Sequence, residues 1–187
     1  FRFFQALRMG NMDEAKALVL HGAPLDLPLV LNSEAGGPPR AEQFRFEELD
    51  AVTELTALAW AAGRGEMDQV KWLLKHDASP NAFFSNGRDA AWVAMDMGQV
   101  DILDLLLKHG SMVNHRLREE KNTTRLIAAV QPLDPNPDVV RCLLEHKAKA
   151  QYYDDTGQTA LHYNFAKDPY TPNDVEIGRM LIEWGGN

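Results

Sequence analysis

The side chains able to do chemistry in this chain are few, and the most suggestive are histidines. His21, His76, His109 and His146 each follow a short apolar run of similar sequence. Imidazole is the commonest metal-binding side chain, so such a ladder raises the question of a metal site. Zinc ligands, however, must converge at about 2 Å from one ion, whereas side-by-side helices lie about 10 Å apart. A cation favoured by the dipole at a helix C-terminus is the simpler account of the ladder. The sequence therefore predicts no metal site.

The other candidates are equally bare. Cys142 sits in a Cys-Leu-Leu run without an adjacent His or Asn, so it reads as a small packing residue and not as a nucleophile. Gly63-Arg64-Gly65-Glu66 lacks the strand and third glycine of a dinucleotide fingerprint and reads as a turn between helices. Carboxylates are abundant, but none stands out as half of an acid/base pair. Asn122-Thr123-Thr124 matches a glycosylation sequon, which matters only in a eukaryotic secretory setting. No catalytic residue and no cofactor are expected, and any enzymatic activity would lie outside this chain.

Composition narrows the partner class. With 45% hydrophobic and 25% charged residues, the 187-residue chain reads as an ordinary globular protein able to bury a sizeable core. Its net charge of -8 argues against nucleic acid, whose affinity rests on neutralised phosphates, and against an anionic membrane surface. A protein with a basic surface is the better complement. One cysteine rules out an intrachain disulfide and suits a reducing compartment, or a secreted protein that needs no staples; the location expected is cytoplasmic, including the cytoplasm of a host cell. No stretch approaches the roughly 20 apolar residues that span a bilayer. The chain opens at Phe1 and stops after a helical pattern, so the reading expects a piece of something longer.

The elements that must position these residues emerge from aligning the chain with itself. Val70-Lys71-Trp72-Leu73-Leu74-Lys75-His76-Asp77-Ala78-Ser79-Pro80-Asn81 coincides with Leu103-Asp104-Leu105-Leu106-Leu107-Lys108-His109-Gly110-Ser111-Met112-Val113-Asn114. The offset is about 33 residues, and the pattern returns at Lys16–Asp26, Val140–Ala148 and Gly178–Asn187. Apolar residues at i, i+3 and i+4 ending in Gly or a turn predict five short amphipathic helices. A shorter, small-residue helix precedes four of them, over Thr56–Gly65, Asp89–Gly98, Thr124–Val130 and Thr159–Ala166. Polar turns introduce three of these at Ser85–Arg88, Glu120–Asn122 and Asp155–Gln158. One such unit cannot bury its apolar face alone, but stacked units share a continuous core. Trp72, Leu73, Leu74, Leu106, Leu107, Leu143 and Leu144 are the expected core.

The pattern resembles the ankyrin repeat, whose signature runs Gly-x-Thr-Pro-Leu-His-x-Ala and closes on Leu-Leu-x-x-Gly-Ala-x-x-Asn. Gly157-Gln158-Thr159-Ala160-Leu161-His162 matches it best, with the endings Leu74 to Asn81 and Leu107 to Asn114. Ala57, Ala90, Arg125 and Ala160 replace the signature proline, and Trp92 replaces the histidine. Extra residues sit in Pro132–Pro137 and Asp168–Pro172. The resemblance implies an all-α solenoid of about five helix-turn-helix repeats with protruding turns, forming one array over 1–187. The repeats fall at about 1–28, 51–83, 84–116, 119–153 and 154–187. His162, in the signature position, is expected to play a structural part by hydrogen-bonding the neighbouring turn.

An insertion of about 22 residues, within 29–50, interrupts the array where a protruding turn belongs. It contains the helix-breaking Gly36-Gly37-Pro38-Pro39 and then Arg40–Asp50, which can form a short helix. One reading is a tolerated loop, since loop length costs little closure entropy. The other is a partner-binding arm anchored by Phe44 and Phe46.

The resemblance also implies where contact occurs, at the turn tips and the exposed face of the inner helices. Phe83, Arg116 and Tyr153 are equivalent tip positions in successive repeats. Beside them lie Phe84, Asn86, Arg88, Lys121, Tyr152, Asp155 and Gln158. Met97 is the chief inner-helix candidate, with Gly63, Arg64, Asp96, Gln131, Ala166 and Lys167 at matching positions. Aromatic and Arg side chains along one edge are types enriched at interface hot spots. The competing reading folds Phe83 and Tyr153 back between adjacent turns. The function expected is a non-enzymatic protein-binding module, monomeric on its own. It could serve as a microbial effector, a toxin-neutralising protein or a eukaryotic scaffold. The alternative is the substrate-recognition domain of a larger enzyme.

Overall fold

The computed structural model describes residues 2–26, 29–30, 54–84 and 87–186. Ten α-helices lie among them, in five antiparallel pairs. The first helix of each pair is short: α1 Arg2–Arg8, α3 Ala57–Arg64, α5 Ala90–Asp96, α7 Arg125–Val130 and α9 Ala160–Phe165. The second is longer: α2 Met12–Leu20, α4 Met67–Lys75, α6 Val100–Lys108, α8 Pro137–Glu145 and α10 Pro172–Glu183. The only strands among the described residues form two short antiparallel ribbons. β1 Leu29–Val30 pairs with β2 Glu54–Leu55, and β3 Arg116–Leu117 pairs with β4 Thr123–Thr124. The architecture is an all-α solenoid with small ribbons at its turns, as the repeat pattern implies.

The short helices start where the sequence supplies an N-cap. The side chains of Thr56, Asp89 and Thr124 accept from the backbone amides of Ala59, Trp92 and Ile127. Such caps satisfy amides that have no partner inside the helix. In the fifth repeat Nδ1 of His162 accepts from the Thr159 amide at 3.3 Å and lies 2.8 Å from Thr159 Oγ1. The signature histidine thus closes the turn at the start of its own helix.

The small residues on these helices allow a close inner layer, in which α3 packs on α5, α5 on α7 and α7 on α9. Gly63 shows how close, because a Cβ there would lie 2.8 Å from Val93 Cγ1. In the outer layer α6 packs on α8 and α8 on α10. Leu73, Leu106, Leu107, Leu143 and Leu144 are buried between the layers. Trp72 and Leu74 are only partly buried, which corrects their assignment to the core. The helical period carries them toward the rim, where the Trp72 ring tilts against His76 at 4.3 Å.

Polar links tie each unit to the next. Asn81 donates to Gly110 O and accepts from the Met112 amide. Asn114 makes the same pair of bonds to Lys147 O and the Lys149 amide. Asp26 accepts from the Ser79 amide at 2.9 Å. Asn81 and Asn114, with Asp26 at the equivalent position, are therefore brackets onto the following repeat.

A second link is not in the signature. The guanidinium of Arg125 pairs with Asp89, both side chains being fully buried. It also donates to Met112 O and lies 5.3 Å from the centre of the Trp92 ring. Three departures from the signature, at positions 89, 92 and 125, are thus one interlocking group between the third and fourth units.

Candidate functional site

Three turn tips, which include the described residues 83–84 with 87–88, 117–123 and 154–158, stand side by side, and their contacts run from one to the next. The Asp155 amide donates to Lys121 O at 2.9 Å, and Asn122 Nδ2 donates to Asp155 Oδ1 at 2.7 Å. His115 Nε2 donates to Gly87 O at 3.0 Å, while the Phe83 ring stacks on His115 at 4.4 Å. Arg116 donates to Tyr153 O at 3.1 Å, and its guanidinium lies 5.0 Å from the centre of the Tyr152 ring. The result is a fixed edge of alternating rings and cations. Side chains held this way lose little rotamer freedom on contact with a partner.

Within the fifth tip, Asp154 is the organising group. One carboxylate oxygen accepts from the amides of Thr156 and Gln158 and from the Thr156 hydroxyl. The other accepts from Tyr163 OH at 2.6 Å. Burial opposes ionisation of this carboxyl, but the Thr156 and Tyr163 hydroxyls and the two amides outweigh it and hold the pKa down at about 2.

The predicted contact residues do not all lie on this edge. Phe83 is 38% exposed with its ring resting on His115 of the next repeat, and Tyr153 is 60% exposed. Arg88, Met97, Arg116 and Tyr152 are half-buried, whereas Lys121, Asp155 and Gln158 are exposed. Arg88 pairs with Asp96 and Glu120, each at 2.9 Å, and so joins the third tip to an inner helix and to the fourth tip. Phe84 is a correction: it is only 7% exposed and belongs to the core. Extended residues alternate faces, so with Phe83 outward its neighbour turns in. Gly63 is likewise buried, beneath Val93. The Lys167 ammonium folds onto buried Asp174 at 2.6 Å. Asn86, Phe44 and Phe46 lie outside the described residues, as does the Arg40–Asp50 helix.

His115, beside the Arg116 tip, is the ring on which Phe83 rests. Its position just before Arg116 was the available signal. On α3, Arg64 lies 4.9 Å from the centre of the Trp60 ring and adds another cation–aromatic pair.

Burial, with the nearby Asp104 and Glu145 carboxylates, pushes the Cys142 thiol up to about 12, so it carries no thiolate at neutral pH. His21, His76 and His109 each donate from Nδ1 to the carbonyl four residues earlier, at 2.7, 2.8 and 2.9 Å. They cap the ends of their own helices. No described helix is long and apolar enough to cross a membrane.

Comparison with known proteins agrees with this geometry. The family model for ankyrin repeats (3 copies) matches residues 4–117, well over half the chain. The chain is 28% identical over 160 residues to the E3 ubiquitin-protein ligase KEG of Arabidopsis thaliana, covering 85% of the chain and 9% of that protein. It is 44% identical over 57 residues to cyclin-dependent kinase 4 inhibitor B of Mus musculus, covering 30% of the chain and 43% of that protein. The chain thus spans less than half the length of these relatives. Ankyrin repeats are generally protein–protein interaction modules and typically carry no catalysis of their own. From its interlocked tips, its two helix layers and this match, the chain belongs to the ankyrin repeat family.

Proposed function

We propose that this chain is a non-enzymatic module whose five repeats form one array and bind one protein across the turn tips, the inner-helix face and the 29–50 insertion. The observation that carries this reading is the continuous edge from Phe83 through His115 and Arg116 to Tyr152 and Tyr153. Exposed aromatics and half-buried arginines held in place are the make-up of an interface hot spot. Pairing of Leu29 with Leu55 and of Val30 with Glu54 brings the two ends of the insertion together at the same kind of turn. That supports a role for the insertion in the same contact. The net charge of -8 favours a partner with a basic surface and disfavours nucleic acid. The chain itself is proposed to be a cytoplasmic monomer.

A second reading has its own support. The match to a ligase covers most of this chain but 9% of that protein, as expected of a recognition segment within a larger enzyme. A catalytic domain in the same open reading frame would favour it over a free-standing scaffold, effector or toxin-neutralising protein.

Photocrosslinking tests the surface. A photoreactive residue at position 83 or 153 should capture the same protein, while one at the exposed outer-helix position 145 should capture none. Capture from position 145 alone would overturn the proposal.

A further inference from the structure

His146 differs from the other three members of its ladder. The ring nitrogens of His21, His76 and His109 turn back to their own helices. His146 instead sends Nε2 across to the neighbouring outer helix, where it donates to Asp104 Oδ1 at 2.9 Å. Cys142 lies one turn earlier on α8, so its thiol and this ring share a face at i and i+4. One ligand atom from each of Asp104, Cys142 and His146 lies within 4.8 Å of the other two.

We propose that Asp104, Cys142 and His146 form a binding site for a divalent transition metal of the zinc class, clipping the outer helices α6 and α8 together. One thiolate, one imidazole and one carboxylate are a donor set suited to zinc. Tetrahedral zinc at about 2.0–2.3 Å from its ligands holds them roughly 3.3–3.8 Å apart, so small side-chain rotations close the set. The other Asp104 oxygen is held by Lys108 Nζ at 2.6 Å, the kind of outer hydrogen bond that fixes a ligating carboxylate. The metal takes the place of the thiol proton, which passes to solvent, while the Nε2 proton that His146 shares with Asp104 moves to Nδ1, so the ring binds as a neutral imidazole through Nε2. A fourth position is left for water or for a side chain of a bound protein. The inference rests on the outer helices α6 and α8 and not on the tip residues.

Cobalt(II) titration of the whole chain tests it directly. Cys142 is the sole cysteine, so a thiolate-to-cobalt charge-transfer band in the near ultraviolet can come only from this site. The band should appear, be displaced by zinc, and weaken at least about tenfold in apparent affinity in His146→Gln and Asp104→Asn. Zinc should raise the thermal midpoint of the wild-type chain and leave that of His146→Gln nearly unmoved. These two variants alter half-buried groups, so the test does not depend on Cys142→Ser folding. No band in the wild-type chain, or an equal band in all three proteins, overturns the proposal. So does an equal rise in midpoint with and without His146.

Discussion

Arg125 and Asp89 form a fully buried ion pair that joins the third and fourth repeats. Asp89 also caps α5 through the Trp92 amide, and the Arg125 guanidinium reaches Met112 O. Removing either partner leaves an uncompensated charge in the core. Arg125→Ala or Asp89→Ala should therefore lower the unfolding free energy by about 3–5 kcal/mol in urea denaturation. Returning both to the signature residues, Asp89→Thr with Arg125→Pro, should cost less than either single change. Thr keeps the cap, and Pro is favoured at the first helical position. Additive losses in the double variant would show that the two residues act separately.

Two turns use a left-handed residue where others use glycine. Gly22, Gly110 and Gly185 follow their helix ends with positive φ, and Asp77 and Lys147 occupy the same position at φ 67 and 68. Only glycine adopts this conformation without steric cost. Asp77→Gly and Lys147→Gly should each raise stability by up to about 1 kcal/mol, measured by thermal or urea unfolding. A loss at both sites would contradict this account of the turns.

Asp154 makes the fifth tip acid-sensitive. Its folded pKa of about 2 lies below the ordinary 3.8, so the folded state favours the ionised form. That contribution is complete above the ordinary value and disappears as pH falls through the folded one. Asp154→Asn, which cannot accept from Tyr163 OH through its amide nitrogen, should be less stable than wild type near neutral pH. The gap should narrow between about pH 4 and pH 2. A gap independent of pH would remove the carboxylate from the explanation.

Deleting residues 31–50 should abolish partner binding while moving the thermal midpoint little. The described core is continuous without those residues, since Leu55 and the α3 alanines already pack with α1 and α2 residues in one cluster. A large fall in the midpoint would place Phe44 and Phe46 in the fold and not in the contact.

The helices were legible because their apolar residues recur at 3.6-residue spacing and begin at Thr56, Asp89, Thr124 and Thr159. The side chain that turns inward at Phe83-Phe84 was not, because two adjacent aromatics in a turn carry no phase. The Asp89–Arg125 pair and the Asp104–Cys142–His146 set join residues more than thirty positions apart. Arg125 was visible as a departure from the signature, His146 as a rung of a ladder and Cys142 as a packing residue, whereas nothing in the sequence marked Asp104. Their meeting depends on how one repeat settles on the next, which periodicity does not encode. Gly63 was assigned to the exposed face for a related reason: the helical position fits, but Val93 from the next unit covers it.

The most direct test of the binding surface is the affinity of the captured partner for three separate variants, Phe83→Ala, Arg116→Ala and Tyr153→Ala, measured by calorimetry or interferometry. Each should weaken binding by more than about 1 kcal/mol while the fold is kept, with the largest loss at whichever residue lies nearest the centre of the contact. Three variants that bind as tightly as the wild-type chain would contradict the account and exclude this edge as the contact surface.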